Sequence, residues 1–121
     1  MNDNPRAGRL GDRIQAELTD ILLRRLKDPN KGFFTVTGVE VTGDLRLAKV
    51  FVSALTPGEL DSALSVLERA KGFLRSELGQ RIRVRFLPEL RFCPDRAAEA
   101  GQRVERLLRD LDPGTPGDPD Q

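Results

Sequence analysis

Leu10, Ile14, Leu18, Ile21, Leu22 and Leu26 recur at three- and four-residue steps. This spacing lays one apolar stripe along a helix of about five turns. Arg9, Arg13, Glu17, Asp20, Arg24 and Lys27 fill much of the remaining surface, with Glu17 and Asp20 read as part of a solvated face. Asp28-Pro29 ends the helix, because the residue before proline is pushed out of the helical region. Phe33–Val41 and Leu45–Ala54 are then rich in Val, Thr and other strand formers, and the short stretch Thr42-Gly43-Asp44 between them supplies turn residues. The pair reads as a β-hairpin.

Thr56-Pro57-Gly58 breaks the strand pattern, and a second helical stretch begins at Glu59. Its buried side is expected to carry Leu60, Ala63, Leu64, Leu67, Ala70, Phe73, Leu74 and Leu78. Gly72 sits inside it, where glycine costs up to about 1 kcal/mol relative to alanine. A kink, the close approach of a ligand backbone, or simple tolerance would each account for it. Gly79-Gln80 ends the helix.

From Arg81 the pattern alternates, predicting a strand with Ile82, Val84 and Phe86 inward and Arg81, Arg83 and Arg85 outward. Pro88 lacks a backbone donor, so the strand is interrupted there or lies at a sheet edge; Leu90 and Phe92 resume the apolar positions. Ala100, Val104, Leu107 and Leu108 give helical spacing to about residues 97–111. The expected fold class is α+β, a three-stranded sheet with helices on one face, in the order helix, strand, strand, kinked helix pair, strand, helix. The expected organisation is a flexible arm over Met1–Gly8, one domain over residues 9–109, and a disordered acidic tail over 110–121.

Charge sharpens this picture. The formal net charge is +1, but Asp110–Gln121 holds four aspartates and no basic residue. The preceding 109 residues therefore carry 20 basic against 15 acidic groups, a moderately basic body. Between Arg69 and Phe92 seven basic residues (Arg69, Lys71, Arg75, Arg81, Arg83, Arg85, Arg91) face only Glu77 and Glu89. Arginine forks bind phosphate oxygens bidentately, so nucleic acid is the first candidate partner. The competing reading is that these arginines keep an exposed strand face soluble.

Composition also excludes chemistry. The chain has no histidine and one cysteine, Cys93. No serine has a histidine to activate it, the usual zinc constellations are missing, and no internal disulfide can form. Gly32, Gly38 and Gly43 form neither a P-loop nor a dinucleotide fingerprint. The reading is a non-enzyme with no cofactor and no metal. No apolar run approaches the roughly 20 residues of a membrane span, and a lone cysteine agrees with a reducing compartment, so a soluble, cytoplasmic protein is expected; a monomer is the expected state. With no Trp or Tyr and six Phe mostly at core-facing positions, base stacking is not expected.

Three segments, in this order, resemble the ribosome-binding factor A family: RLGDRIQAELTDILLRRLKDP, TVTGVEVTGDLRLAKVFVS and ERAKGFLRSELGQRIRVRFLPELRF followed by Asp95. The resemblance runs from about Arg9 to Leu108. It implies a variant of the type II KH fold in which an Ala-x-Gly kink, matched by Ala70-Lys71-Gly72, replaces the GXXG loop. It also implies a factor that binds the free small (30S) ribosomal subunit and 16S rRNA late in maturation. With it come 16S 5′-end processing, growth in the cold, and release assisted by an assembly GTPase. Lys71, Arg75, Arg81, Arg83 and Arg85, extended by Arg46 and Lys49, are the expected RNA contacts. The chain departs from the family in Pro94-Asp95-Arg96-Ala97, which lacks the serine or threonine often found after the aspartate, and in its acidic tail. Two alternatives stay open: a KH-like adaptor docking mainly on a protein, and a general RNA-binding KH domain.

Overall fold

The computed structural model describes residues 4–26 and 33–95. Helix α1 (Pro5–Arg24) begins with the Asn4 side chain accepting the Arg6 N–H at 2.9 Å and a proline in the first turn. Residues 5–8, expected in a flexible arm, therefore belong to the helix, and Ala7 is fully buried. α1 buries Ala7, Gly11, Ile14, Leu18, Ile21 and Leu22; the expected stripe holds from Ile14 to Leu22, while Leu10 and Leu26 are only partly buried and Ala7 and Gly11 carry the stripe to its start. Gly11 is required by close approach: a Cβ there would lie 2.8 Å from the carbonyl oxygen of Val39. Asp28-Pro29, the expected C-terminal helix and the acidic tail lie outside the described residues.

Strands β1 (Thr35–Val41) and β2 (Leu47–Ser53) form the expected antiparallel hairpin, with Val36 opposite Val52 and Val39 opposite Val50. A bulge between Val36 and Gly38 keeps Val36 on the same, helix-covered side as Val39 and Val41. The turn is held by side chains. Thr42 Oγ1 donates to Asp44 Oδ1 (2.6 Å), the same carboxylate oxygen accepts the Arg46 N–H (3.1 Å), and Thr42 Oγ1 accepts the Leu47 N–H (3.1 Å). These bonds, and the packing of Leu45 against the core, hold Leu45 at φ 63°, a conformation rare for a branched residue.

Helix α2 (Pro57–Arg69) opens on an N-cap in which Thr56 Oγ1 accepts the Glu59 N–H and donates to Glu59 Oε1, both at 3.1 Å. Ala70 (φ −89°, ψ 2°) separates it from α3 (Lys71–Arg81). The break rotates the helical phase, so α3 buries Leu74 and Leu78 while Phe73, expected inside, is 39% exposed. The helix pair crosses over to β3 (Glu89–Pro94), which lies parallel to β2 with Ala48 opposite Leu90 and Val50 opposite Phe92. Parallel neighbours require such a crossover. The sheet order is β1-β2-β3. The helices cover the face carrying Val50, Val52 and Leu90, and Ile14, Leu18, Ile21, Leu67, Leu74 and Leu78 are the largest fully buried helix side chains.

The third strand departs from expectation. Residues 82–88 form no strand. Arg75 in α3 donates to the carbonyls of Pro88 and Leu87, so those acceptors are spent on a guanidinium rather than on a sheet ladder. Pro88 has no donor to offer, and pairing starts one residue later with the Glu89 N–H on the Arg46 carbonyl at 2.9 Å. Ile82 is buried as expected, whereas Val84 and Phe86 point outward.

Candidate nucleic-acid interface

The kink is a hinge in the chain rather than a loss of hydrogen bonding. The Ala70 N–H donates to the Val66 carbonyl and the Ala70 carbonyl accepts from Leu74, both at 2.9 Å. Gly72 lies in the first turn of α3, and a Cβ added there would meet no atom within 4 Å. The packing of this chain does not demand glycine at position 72, and the surface beside it is open. Lys71 is next to it. Its Nζ lies 3.1 Å from Glu68 Oε1 and 5.7 Å from the centre of the Phe92 ring, which ties the kink to β3.

Arg75 and Arg81 are not free cations. Arg75 clasps Leu87 and Pro88 as described. Arg81 Nη1 donates to Asp20 Oδ2 at 2.6 Å and to Glu17 Oε1 at 3.2 Å. Arg13 and Arg24 hold the other sides of those carboxylates at 3.0 and 2.6 Å. Hydrogen bonds from Arg81 first, then from Arg13 and Arg24, keep Glu17 and Asp20 below the usual carboxylate range, and the two acids in turn raise Arg81. The face of α1 expected to be merely solvated is thus a clamp between α1 and α3.

Arg83 and Arg85 are the exposed pair of the segment, and Arg85 Cζ lies 5.6 Å from the centre of the Phe86 ring. Neither has an ion-pair partner among the described residues. On the sheet face turned away from the helices, Lys49 of β2 sits opposite both Glu40 of β1 and Arg91 of β3. Arg46 is exposed at the hairpin end of the sheet, where its backbone N–H binds Asp44. The expected cations therefore divide: Arg83 and Arg85 on a loop, Lys71 at the kink, Lys49 on the sheet face turned away from the described helices, Arg46 at the hairpin end, and Arg75 and Arg81 turned inward as supports. Arg91 is an addition to the expected contacts. The alternation of Glu89, Arg91 and Cys93 with Leu90 and Phe92 is the signal that places it outward.

Such an arrangement can hold an anionic polymer by charge. Among the described residues no three His, Cys, Asp or Glu come together as a metal site, and no helix is long and apolar enough to cross a membrane. Cys93 is half-buried, its Sγ 3.8 Å from the Arg91 carbonyl oxygen.

The family model described as "Ribosome-binding factor A" matches residues 6–108. Ribosome-binding factor A of Staphylococcus carnosus is 47% identical over 107 residues, covering 88% of this chain and 93% of that one. The crystal structure of ribosome-binding factor A from Thermus thermophilus superposes with a TM-score of 0.67 at 33% identity, covering 75% of this chain and 97% of that one. A homology model of Thermus thermophilus ribosome binding factor A, fitted into the cryo-EM map of a 30S complex, gives a TM-score of 0.60 at 34% identity, covering 71% of this chain and 91% of that one. On the family match and the 47% identity, the chain belongs to the ribosome-binding factor A family.

Proposed function

We propose that this chain is a non-enzymatic maturation factor of the small ribosomal subunit, which binds free 30S particles and 16S rRNA in the cytoplasm. Family membership carries the reading, and a relative that assembles with the 30S subunit supports it. The exposed cations Arg83, Arg85, Arg46 and Arg91, with half-buried Lys49 on the sheet and Lys71 at the open kink, are the RNA-facing groups. Arg75 and Arg81 act through them by fixing the loop and α3. Contacts of this kind follow phosphate charge and helical shape rather than base edges. A protein without catalytic groups then acts by binding one rRNA conformation more tightly than another, and so shifts the population toward it. Assistance to 5′-end processing of 16S rRNA and release by an assembly GTPase fit that scheme as consequences of holding one particle state.

The test is sedimentation of the full chain with free small subunits, free large subunits and whole ribosomes at two salt concentrations. Comigration with free small subunits alone, weakened steeply by salt, is the expected result. Equal binding to all particles, or to none, overturns the function. A protein-docking reading has one feature in its favour. Leu23 and Phe33, 76% and 82% exposed, rim an apolar cavity of about 360 Å³ with Leu22 and Phe34. Binding through that surface would be nearly insensitive to salt.

A further inference from the structure

Residues 82–88 form a loop with anchored ends and an exposed tip. At its start Arg13 Nη2 of α1 donates to the Arg81 carbonyl at 2.9 Å, and Ile82 is 5% exposed. At its end Arg75 holds the Leu87 and Pro88 carbonyls, and Pro88 is fully buried. Between these anchors the loop turns outward, with Arg83 and Arg85 exposed and the Phe86 ring 78% exposed. A large aromatic so exposed gains nothing from the core, and folding alone does not account for it. The anchors also mean that little of the tip's order must be gained on binding.

We infer that Phe86 is a base-stacking residue, and that the Arg83-Val84-Arg85-Phe86 tip takes an unpaired RNA nucleotide. The Phe86 ring would lie against the base, and Arg83 and Arg85 would hold the flanking phosphates. The partner is chosen by chemistry: every nucleobase has a π-face that an aromatic ring can stack on, and the cations beside the ring favour an anionic chain over an apolar protein pocket. The inference rests on the rRNA-binding reading and goes beyond it, because contact by charge alone leaves Phe86 only as a support for the Arg85 guanidinium 5.6 Å from its ring centre. It also reverses the expectation that this chain lacks a stacking aromatic.

The test compares the wild-type chain with Phe86→Leu and Phe86→Trp on free small subunits across a salt series, followed by ultraviolet crosslinking and mapping of the joined peptide. Phe86→Leu is expected to weaken binding roughly tenfold at every salt concentration, because a neutral ring releases no counterions. Phe86→Trp should retain binding, and the crosslinked peptide should contain Phe86. Since the ring is exposed, all three proteins should share one thermal midpoint. Equal affinity of Phe86→Leu and wild type overturns the inference and leaves the function standing. Weakened binding with the crosslink only elsewhere in the chain places the ring in a protein pocket and also overturns it. A wild-type chain that does not bind small subunits overturns the function, and the inference with it.

Discussion

Arg81 Nη1 lies 2.6 Å from Asp20 Oδ2, joining the last residue of α3 to the C-terminal part of α1. The same nitrogen reaches Glu17, and Glu77 and Arg25 extend the contact between the two helices. Arg81→Ala is therefore expected to lower the thermal midpoint. At temperatures where the variant stays folded, the salt dependence of RNA binding should match wild type. A flattened salt slope would return Arg81 to the RNA surface.

The same clamp predicts an acid limb in stability. Glu17 and Asp20 titrate below their ordinary values of 4.5 and 3.8 in the folded chain. Folded-state values lower than unfolded ones give stability that is complete above the unfolded values and is lost as pH falls through the folded ones. Thermal midpoints should thus be flat near neutral pH and fall below about pH 4.5. In Arg81→Ala that fall should shrink. It should not vanish, because Asp44 is also lowered, by the Thr42 hydroxyl and the Arg46 N–H, and Arg81 plays no part there.

How much of this is legible in the sequence depends on the range of the interactions. The α1 stripe and the hairpin are local, and their periods and turn residues place them within a few positions. The inward cations are not local: Arg81 meets partners 61 and 64 residues away, and no spacing rule connects them. Residues 82–86 satisfy the two-residue period of a strand, yet they form a loop because Arg75, outside that window, takes the carbonyls at its end. Phe86 departs from its expected place for the same reason, since its burial depended on the strand. Gly72 stands out as a helix-interior glycine, but spacing alone does not choose among its explanations. The resemblance is needed to mark the kink, and the structure places the break itself at Ala70.

Two glycines should respond in opposite ways. Gly11→Ala drives a Cβ to 2.8 Å from a β1 carbonyl oxygen, and backbone on both sides leaves only movement of α1 as relief. It is expected to destabilise the fold by about 1–3 kcal/mol. Gly72→Ala meets open space and replaces glycine in the first turn of α3, so it should stabilise by up to about 1 kcal/mol. Chemical denaturation measures both. If an RNA backbone passes closely over the kink, Gly72→Ala will bind small subunits more weakly despite its greater stability. Unchanged binding would remove position 72 from the interface.

Arg83 and Arg85 differ from Arg75 in what they touch, and salt separates the two roles. Losing a phosphate contact flattens the dependence of log affinity on log salt by about 0.7 for single-stranded and 0.9 for duplex nucleic acid. The Arg83→Ala, Arg85→Ala double variant should therefore flatten the slope by roughly 1.4–1.8 if both meet phosphate. Arg75→Lys keeps its charge but loses the planar fork that spans the Leu87 and Pro88 carbonyls. The loop end then loses charge-assisted hydrogen bonds worth about 1.5–3 kcal/mol, and the tip loosens. The expected signature is a lower midpoint and weaker binding on an unchanged slope. A slope as flat as that of the double variant would mean that Arg75 itself meets phosphate, and that its hold on the loop is lost in the bound state.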